Sequence, residues 1–320
     1  MENRKDELDR FKSEINLGEY ACAMHGFTFD KRQSSRCSAV VRHANGDKLI
    51  ITRRPNQHYV YFNAKGEGKD SGTILDFIQA RSNISFGKIR QLLREWSPTS
   101  SNHSSTKPTI SIEPSKHDAA RVLSTWVKTD MLKPDNPYLV TARSIPPSTF
   151  TAPIFRGQIR TDLRRNILFA HRTNDGDLCG FEIKNKSFTG FSPGGVKSLF
   201  RSALAADATT AVFCETAIDL LSVATIFGMQ HRQFFSTAGQ VSESQLVDSV
   251  SVLKSMPALE RVWLAFDNDK AGHELAKQFE DRITNELSHI DVQVTLPKLS
   301  GSDWNDELRS IGGPTSDPAP

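Results

Sequence analysis

The C-terminal third of the chain alternates short apolar runs with longer amphipathic segments, a pattern typical of an α/β domain. Four runs have the length of buried strands: TTAVFC, RQFFST, RVWLAF and DVQVTL. Helical spacing follows the first three, in AIDLLSVATIF, SESQLVDSVSVL and KAGHELAKQFEDRITNEL. Strands that alternate with helices predict a parallel sheet, and ligands of such a sheet gather at the carboxyl ends of its strands.

The N-terminal part shows a different pattern. Residues 1–96 begin with a charged helix, continue through the β-like runs SAVVRH, KLIITRR and HYVYFN, and close with the helical segments SGTILDFIQARS and FGKIRQLLREW. This order predicts a small α+β module. Residues 97–115 are rich in Ser, Thr and Pro with few large apolar groups, so we expect a flexible linker there.

Residues 116–205 predict a second α+β region. Residues 116–150 are expected to be helical, because five apolar residues recur at helical spacing: Ala119, Val122, Leu123, Trp126 and Val127. The segments NILFAHR, DGDLCGFEIKN and SFTGFS then alternate apolar and polar residues, which indicates an antiparallel meander. We assign residues 206–312 to the α/β domain and residues 313–320 to a disordered tail.

Composition restricts the class of protein. The chain has 320 residues, enough for two domains, and a formal net charge of +3, which permits nucleic-acid binding without requiring it. We find no apolar run near the ~20 residues that span a bilayer, and the charged start MENRKDELDRFK lacks the apolar core of a signal peptide. A cytoplasmic protein without membrane contact is expected. The cysteines are far apart, without a CxxC pair, so no disulfide framework is predicted.

Acidic residues follow two of the predicted strands directly. Glu215 comes after AVFC, and Asp267 and Asp269 come after RVWLAF. Residues i and i+2 of an extended segment point the same way, so Asp267 and Asp269 can face one ion together. Clustered carboxylates repel one another unless a cation neutralises them, and oxygen ligands suit Mg²⁺ or Mn²⁺. The sequence therefore predicts a metal site whose substrate carries phosphate.

Four further residues are expected to support this site. Asp219 lies one helical turn after Glu215 and either orients a ligand water or is a surface acid. Gly272 opens the next helix and allows a close approach of backbone or substrate. Asp303, in GSDWNDEL, is predicted to be a fourth metal ligand, with Asp306 beside it. The alternative is that Asp303 caps a helix in which Asp306 is the third residue.

Basic residues are the candidate contacts for nucleic acid or nucleotide. Lys197 is the first choice, because the preceding Gly194 and Gly195 let the backbone pass near substrate. The other candidates are Arg53, Arg54, Arg160, Arg164, Arg165 and Arg201. Tyr59, Tyr61 and Phe62 either stack on unpaired bases or belong to a core strand.

The segments FCETAIDLLSV, LAFDNDKAGHELA and LPKLSGSDWNDEL resemble the motifs of Toprim domains over roughly residues 209–311. The resemblance implies a Rossmann-like parallel sheet flanked by helices. It also implies that Glu215 is a general acid or base and that Asp267 and Asp269 are metal ligands. Thr216 stands where the family often has Gly. FTGFSPGGVKSLFR, which contains Lys197, is similar to part of the domain that precedes Toprim in primase-like proteins of plasmids and integrative elements.

The N-terminal module resembles the zinc-ribbon domain of bacterial primases in its closing segment DSGTILDFIQARSNISFGKIRQLL. Its metal ligands are degenerate, because Cys37 and His43 are spaced too widely and YFNA stands where the family has a Cys-x2-Cys pair. Cys22, His25, Cys37 and His43 could supply four ligands by number alone. We nevertheless predict buried cysteines and surface histidines, without zinc.

These resemblances imply a primase-like nucleotidyltransferase that makes short primers on single-stranded DNA from nucleoside triphosphates, in mobile-element or plasmid replication. A GxxxxGK[ST] motif is missing from the sequence, so a helicase is expected to be a separate partner. The same carboxylates could instead direct water in a metal-dependent nuclease. A third hypothesis is a non-catalytic module that binds single-stranded nucleic acid.

Overall fold

A computed structural model describes residues 4–65, 70–82, 84–96, 109–114, 116–239 and 241–311. The chain divides into two units, Met1–Lys116 and His117–Pro320. The predicted tail, 313–320, and residues 97–108 and 115 of the predicted linker lie outside the described residues. Among the helices of the described ranges, none is both long and apolar enough to cross a membrane.

The first unit is the predicted α+β module. Its helices are α1 (Arg4–Glu14), α2 (Leu17–Met24), α3 (Ile74–Arg81) and α4 (Phe86–Glu95). Its strands are β1 (Thr28–Phe29), β2 (Ser38–Arg42), β3 (Lys48–Arg53), β4 (Tyr59–Asn63) and β5 (Ser71–Gly72). In the described residues these strands form one antiparallel sheet in the order β1-β2-β3-β4-β5.

The described end of the predicted linker packs into this unit. Ile110 and Ile112 are buried in the same apolar core as Leu49 and Phe77. The backbone N–H of Ile110 donates to Glu19 Oε1 at 3.0 Å. Residues 109–114 are therefore part of the first unit's core and surface.

The second unit carries the remaining elements. Its helices are α5 (Ala119–Trp126), α6 (Pro147–Phe150), α7 (Ala217–Phe227), α8 (Glu243–Lys254), α9 (Lys270–Glu286) and α10 (Trp304–Ile311). Its strands are β6 (Asp130–Met131), β7 (Ile159–Thr161), β8 (Ile167–Arg172), β9 (Leu178–Lys184), β10 (Thr189–Phe191), β11 (Leu199–Arg201), β12 (Thr210–Cys214), β13 (Arg232–Ser236), β14 (Arg261–Ala265) and β15 (Asp291–Val294).

The predicted helical region 116–150 is corrected by the structure. Helix α5 ends at Trp126, and a short strand, a single π-helical turn and the four-residue α6 follow it. Proline supplies no backbone N–H, and Pro134, Pro137, Pro146 and Pro147 break the helical hydrogen bonding. Within α5 only Val122 and Trp126 are buried.

The described strands of the second unit form a single sheet. Its main path runs β10-β9-β8-β11-β13-β12-β14-β15, with β7 beside β8 and β6 beside β7. Strand β11 joins the predicted meander to the predicted parallel strands, because Phe200 pairs with His171 on one side and with Ser236 on the other. The boundary predicted between residues 205 and 206 therefore lies inside one hydrogen-bonded sheet.

The parallel part of the sheet confirms the predicted α/β class. Strand β12 pairs in parallel with β13 and β14, and β14 with β15. Alternate residues of β12 face opposite sides: Val212 and Cys214 pack in the core that includes α7 and α10, while Ala211 and Phe213 pack in the core that includes α8 and α9. Helices thus cover both faces and leave the carboxyl edge of the strands for a site.

Candidate metal-binding carboxylate site

The predicted acids leave the sheet at the same edge. Strands β12 and β14 are in register with Cys214 opposite Ala265, and Glu215 and Asp267 follow these two residues closely. The loop before α10 is held beside them, because Asn268 N donates to Ser302 O at 3.1 Å. Asp303, the next residue, is thereby brought to the same edge.

The segment after β14 is fixed by the start of α9. Asp269 caps this helix and accepts a hydrogen bond from Gly272 N at 2.7 Å. A Cβ atom on Gly272 would lie 2.1 Å from Asp267 O, which no side chain tolerates. Gly272 is therefore required by the backbone of Asp267, the close approach that the sequence predicted.

Asp219 belongs to the same site and is not a surface acid. Its side chain is 2% exposed, and Thr216 Oγ1 donates to its Oδ2 at 2.5 Å. Thr216 also caps α7 by accepting from Asp219 N. The residue that replaces the family's usual Gly thus holds a buried carboxylate in place.

The electrostatics show that these acids form one cluster. The pKa of Asp267 is raised to about 9, first by burial and then by four neighbouring carboxylates: Asp219, Glu215, Asp303 and Asp269. Burial, reinforced by Asp303, raises the pKa of Asp219 to about 6. Burial and Asp269 also raise the pKa of Glu215. We define these five acids as the carboxylate cluster.

Two oxygen atoms of the cluster are left unsatisfied. Asp267 Oδ1 and Asp219 Oδ1 are buried and have no hydrogen-bond partner among the described residues. A buried carboxylate oxygen without a donor is costly, because it has lost water and gained nothing in return. Such atoms are suited to a ligand that the protein chain itself does not provide.

Two lysines face the cluster from the meander. Lys184 and Lys197 both lower the pKa of Glu215, opposing the effect of burial. Lys184 is 8% exposed and its Nζ lies 3.1 Å from Glu182 Oε1. The pKa of Lys197 is lowered by burial, although Glu182 and Glu215 act against this. The structure thus brings the predicted Lys197 to the acids.

Sequence reasoning missed Glu182 and Lys184 as site residues. The signal for them in the sequence is weak, because Glu182 and Lys184 alternate with Phe181 and Ile183, a pattern that by itself places the charged residues on the solvent face. An inward charge in such a strand needs a partner or a function. Only the paired sheet shows that this face of β9 meets the carboxylate cluster.

The donor set fits a hard divalent cation. The cluster offers carboxylate oxygens without an imidazole or thiolate, the ligands that Mg²⁺ and Mn²⁺ prefer. In the described ranges, no three His, Cys, Asp or Glu side chains are already arranged to enclose an ion. The two unsatisfied oxygens and the mutual pKa shifts are the observations that favour a cation here.

Of the predicted pair Asp303 and Asp306, only Asp303 belongs to the carboxylate cluster. Asp303 Oδ1 accepts from Asp306 N at 2.7 Å, so it caps α10 as the alternative interpretation expected. Asp303 also raises the pKa of Asp219 and Asp267. Asp306 is exposed and lies 3.9 Å from Arg309. Asp303 as a metal ligand stays a prediction, while Asp306 faces solvent.

Two of the predicted arginine contacts serve the meander itself. Arg160 donates to Trp126 O at 3.1 Å and lies over the Trp126 ring. Arg201 is 4% exposed and donates to Thr173 O at 2.8 Å. Their predicted binding of phosphate stays untested, and these contacts do not favour it. Arg164 and Arg165 are exposed in the turn between β7 and β8.

In the first unit, Arg53 donates to Gln57 O and lies 4.9 Å over the ring of Tyr59, whereas Arg54 is exposed. Tyr59 and Tyr61 are buried in the core, which favours the interpretation of a core strand.

The surroundings of the four possible zinc ligands do not favour a zinc site. Burial raises the pKa of Cys22 to about 11, which disfavours a thiolate. His25 packs edge-on against Phe77, and His43 lies beside Phe27. Cys37 is exposed.

Fold and site together define an α/β domain that gathers carboxylates at the carboxyl edge of a parallel sheet. Residues 212–308 match the Toprim-like family, and the C-terminal domain of this chain is therefore Toprim-like. Residues 137–208 match a family described as proteins of unknown function (DUF3991). A search of curated protein sequences finds no significant match.

Several solved structures are similar to the chain. A DNA primase domain from Pseudomonas aeruginosa is 18% identical, with 47% of this chain and 49% of that chain covered and a TM-score of 0.34. The Aquifex aeolicus primase (zinc-binding and RNA polymerase domains) is 15% identical, with 96% and 82% covered and a TM-score of 0.37. The primase fragment of the bacteriophage T7 primase-helicase protein is 17% identical, with 68% and 83% covered and a TM-score of 0.40. The chain thus spans about half of the first of these structures.

Proposed function

We propose that the chain is a metal-dependent, primase-like nucleotidyltransferase that joins nucleotides into short primers on single-stranded DNA. The observation that carries the proposal is the carboxylate cluster of a Toprim-like domain, in which Asp267 Oδ1 and Asp219 Oδ1 are buried without a partner. Excess negative charge at the carboxyl edge of a sheet calls for a cation, and a cation there calls for a phosphate.

The cluster divides into ligands and supports. Asp267, Asp269 and Glu215 would hold Mg²⁺ or Mn²⁺, with Asp303 as a further ligand. The bound ion would supply Lewis-acid stabilisation of the charge on the transferring phosphate. Asp219, which accepts a hydrogen bond from Thr216, would orient a ligand water. The resemblance of the motifs favours Glu215 as the general base that would accept the proton of an attacking 3′-hydroxyl.

Lys184 and Lys197 provide positive charge opposite the acids. Lys184 is anchored by Glu182 at 3.1 Å and is therefore held in position, while Lys197 is half-buried in the loop before β11. Both would neutralise the phosphates of a nucleoside triphosphate as pyrophosphate leaves. The resemblance of the motifs favours a role in mobile-element or plasmid replication, with a helicase as a separate partner.

The test incubates the full chain with single-stranded DNA, labelled nucleoside triphosphates and Mg²⁺ or Mn²⁺, and resolves the products by denaturing electrophoresis. We expect short new oligonucleotides from the wild type and at least a hundredfold less from Asp267→Asn, since an essential electrostatic contact is typically worth that factor or more. Asp306→Asn is the matched control, because it changes an exposed acid close to the cluster.

The same gel separates the competing hypotheses. A shortened template, lost in Asp267→Asn, would show a metal-dependent nuclease instead of a primase. An intact template that is bound without any product, in the wild type as in the variant, would favour the non-catalytic binding module. Either result contradicts primer synthesis by this chain.

A further inference from the structure

Two turns lie side by side at one end of the meander. The first, residues 162–166, joins β7 to β8, and the second, residues 185–188, joins β9 to β10. Ile167 pairs with Lys184 in the sheet, and Asn185 Nδ2 donates to Asn166 Oδ1 at 2.6 Å. The two turns are therefore held together as one surface, which we name the double turn.

The first turn presents an apolar side chain between basic ones. Leu163 is 93% exposed, and the next two residues, Arg164 and Arg165, are exposed as well. The turn is rigid, because Asp162 Oδ1 accepts from the backbone N–H groups of Arg164 and Asn166 at 2.9 Å each. Arg165 adopts a φ of 61°, a left-handed conformation that is unfavourable for a side chain of this size and that the Asp162 contacts maintain.

The second turn presents an aromatic ring. Phe188 is 51% exposed, and the tip of its ring lies so close to Gly190 that a Cβ there would meet Cζ at 2.5 Å. Asn185 N donates to Phe188 O at 2.9 Å and closes the turn. Lys186, within this turn, is exposed. The ring thus contacts Gly190 at its tip and leaves about half of its surface to solvent.

Exposed apolar groups interleaved with cations fit one class of partner. A protein groove would bury Leu163 and Phe188 at the cost of removing three cations from water, which is expensive without matching acids. A single nucleic-acid strand offers flat bases for the apolar groups and a phosphate for each cation. Lys184 is paired with Ile167 beside the first turn, so a strand on this surface would lie close to the residues that face the carboxylate cluster.

We propose that the double turn is a binding platform for a single nucleic-acid strand, with unpaired bases stacked on Phe188 and Leu163 and phosphates held by Arg164, Arg165 and Lys186. This inference rests on the proposed function for its substrate class, single-stranded nucleic acid, and adds the residues that contact the unpaired bases. Asp162 and Asn166 are positioning residues, since they contact the turn and not the strand.

The test measures binding of the full chain to a labelled oligothymidylate and to an abasic oligonucleotide of the same length, by fluorescence anisotropy. Base–aromatic stacking is worth about 1–3 kcal/mol per base, so Phe188→Ala should weaken binding to oligothymidylate roughly 5- to 150-fold. Leu163→Ala should give a smaller loss. Neither change should alter the affinity for the abasic strand, and Phe188→Trp should restore binding.

Leu204→Ala is the matched control, because Leu204 is 63% exposed in a loop elsewhere in the same unit. The three alanine variants should melt at the wild-type temperature, which excludes unfolding as the cause of a loss. A loss of binding that is equal for both oligonucleotides would overturn the stacking, and so would affinities of Phe188→Ala and Leu163→Ala within twofold of wild type. Tighter binding to blunt duplex than to single strand would overturn it too.

Failure of the proposed function would look different. Suppose that the wild type makes no product with any metal but binds in a base-dependent way, and that Phe188→Ala removes this binding. This result would contradict primer synthesis and support the platform. Primer synthesis that survives Phe188→Ala and Leu163→Ala with unchanged KM for the template would support the proposed function and contradict the platform.

Discussion

Each of the two units contains a cluster of charged groups, and the clusters are built on opposite principles. In the first unit Arg81 donates to Asp70 at 2.8 Å and lies 3.5 Å from Asp47, while Tyr61 and Asn63 donate to Asp70 at 2.6 and 2.9 Å. In the second unit five carboxylates lie together and two of their oxygens have no donor among the described residues. The first cluster is complete by itself and the second is not.

The pKa values show the difference directly. Burial would raise the pKa of Asp70, but hydrogen bonds from Arg81, Tyr61 and Asn63 lower it below its usual value. The pKa of Asp267 is instead raised to about 9, because burial and neighbouring acids act in the same direction. A satisfied cluster stabilises a fold, whereas an unsatisfied one marks a place where a ligand is expected.

Breaking the first cluster should have the largest effect on stability. Arg81→Leu leaves Asp70 and Asp47 without their cation and removes the guanidinium that lies 4.4 Å over the Phe77 ring. We expect a loss of about 3 kcal/mol in the free energy of unfolding of the first unit, measured by urea denaturation. Arg36→Leu, which breaks the exposed pair with Glu113, is the control and should cost less than about 1 kcal/mol. Equal losses of stability in Arg81→Leu and Arg36→Leu would contradict a stabilising role for the Arg81 cluster.

Acid should weaken the second unit through His171, although the raised pKa values of Asp267 and Asp219 act in the opposite direction. His171 is fully buried and burial lowers its pKa to about 3, whereas an unfolded histidine titrates near 6.5. Between these values the unfolded chain binds a proton that the native chain does not, so stability falls as pH falls from about 6.5 towards 3, by about 1.4 kcal/mol per pH unit.

We therefore expect His171 to cost the second unit about 2 kcal/mol between pH 7 and pH 5, measured by denaturation at each pH. The pKa of Glu7, in the first unit, is lowered from 4.5 to about 2 by Arg94 and Arg90, so its contribution to stability is lost only as pH falls from about 4.5 towards 2. His171→Asn should remove this contribution, so its change in stability between pH 7 and pH 5 should differ from that of the wild type by about 2 kcal/mol, whereas His289→Asn, an exposed change, should behave like the wild type. An unchanged slope in His171→Asn would contradict this assignment.

Mg²⁺ should stabilise the second unit through the carboxylate cluster, by a smaller free energy than the changes above. A ligand at ten times its dissociation constant stabilises the native state by about 1.4 kcal/mol, or a few degrees in the melting temperature. We expect this increase for the wild type and for Arg36→Leu, but not for Asp267→Asn, measured by thermal unfolding with EDTA or Mg²⁺. In EDTA, Asp267→Asn should be at least as stable as the wild type, because the buried carboxyl of Asp267 must take up a proton when the chain folds and an amide does not. A Mg²⁺ shift of equal size in Asp267→Asn would place the ion elsewhere.

The smallest effects are expected from two similar helix caps. Thr73 in the first unit bonds to Asp76 at 2.7 Å, and Thr216 in the second bonds to Asp219 at 2.5 Å. Thr73→Ala should cost about 0.5–1 kcal/mol in unfolding free energy, as caps usually do. Thr216→Ala should cost slightly more, because it removes the donor of a buried carboxylate, and it should lower primer synthesis where Thr73→Ala does not.

The parallel strands and their acids could be predicted because the information is local. Each acid follows an apolar run of strand length, and register alone brings Glu215 and Asp267 to one edge. Gly272 could be predicted for the same reason, since it stands at the start of a helix directly after the acids, where the backbone of Asp267 leaves no room for a Cβ. The motifs that resemble Toprim domains agreed with this order of strands and helices.

The rest depends on contacts between distant residues. Helical spacing over 116–150 was misleading because Leu123 and Val127 are exposed, and the prolines after them outweigh the periodicity. The Arg81 cluster joins positions 47, 61, 63, 70 and 81, whose pairing only the folded sheet determines. Likewise, the sequence shows Lys184 only as one member of a basic run. Strand pairing is needed to show that it is buried beside Glu182.

Strand β11, only three residues long, has a consequence for dissection of the protein. A fragment that begins at residue 206 would include every member of the carboxylate cluster, yet it would leave β13 with an open edge where Phe235 and Ser236 had paired. Unpaired edges of this kind recruit strands from other molecules, so we expect such a fragment to self-associate. It would also lack both lysines, and the acids would face solvent on the side that the meander now covers.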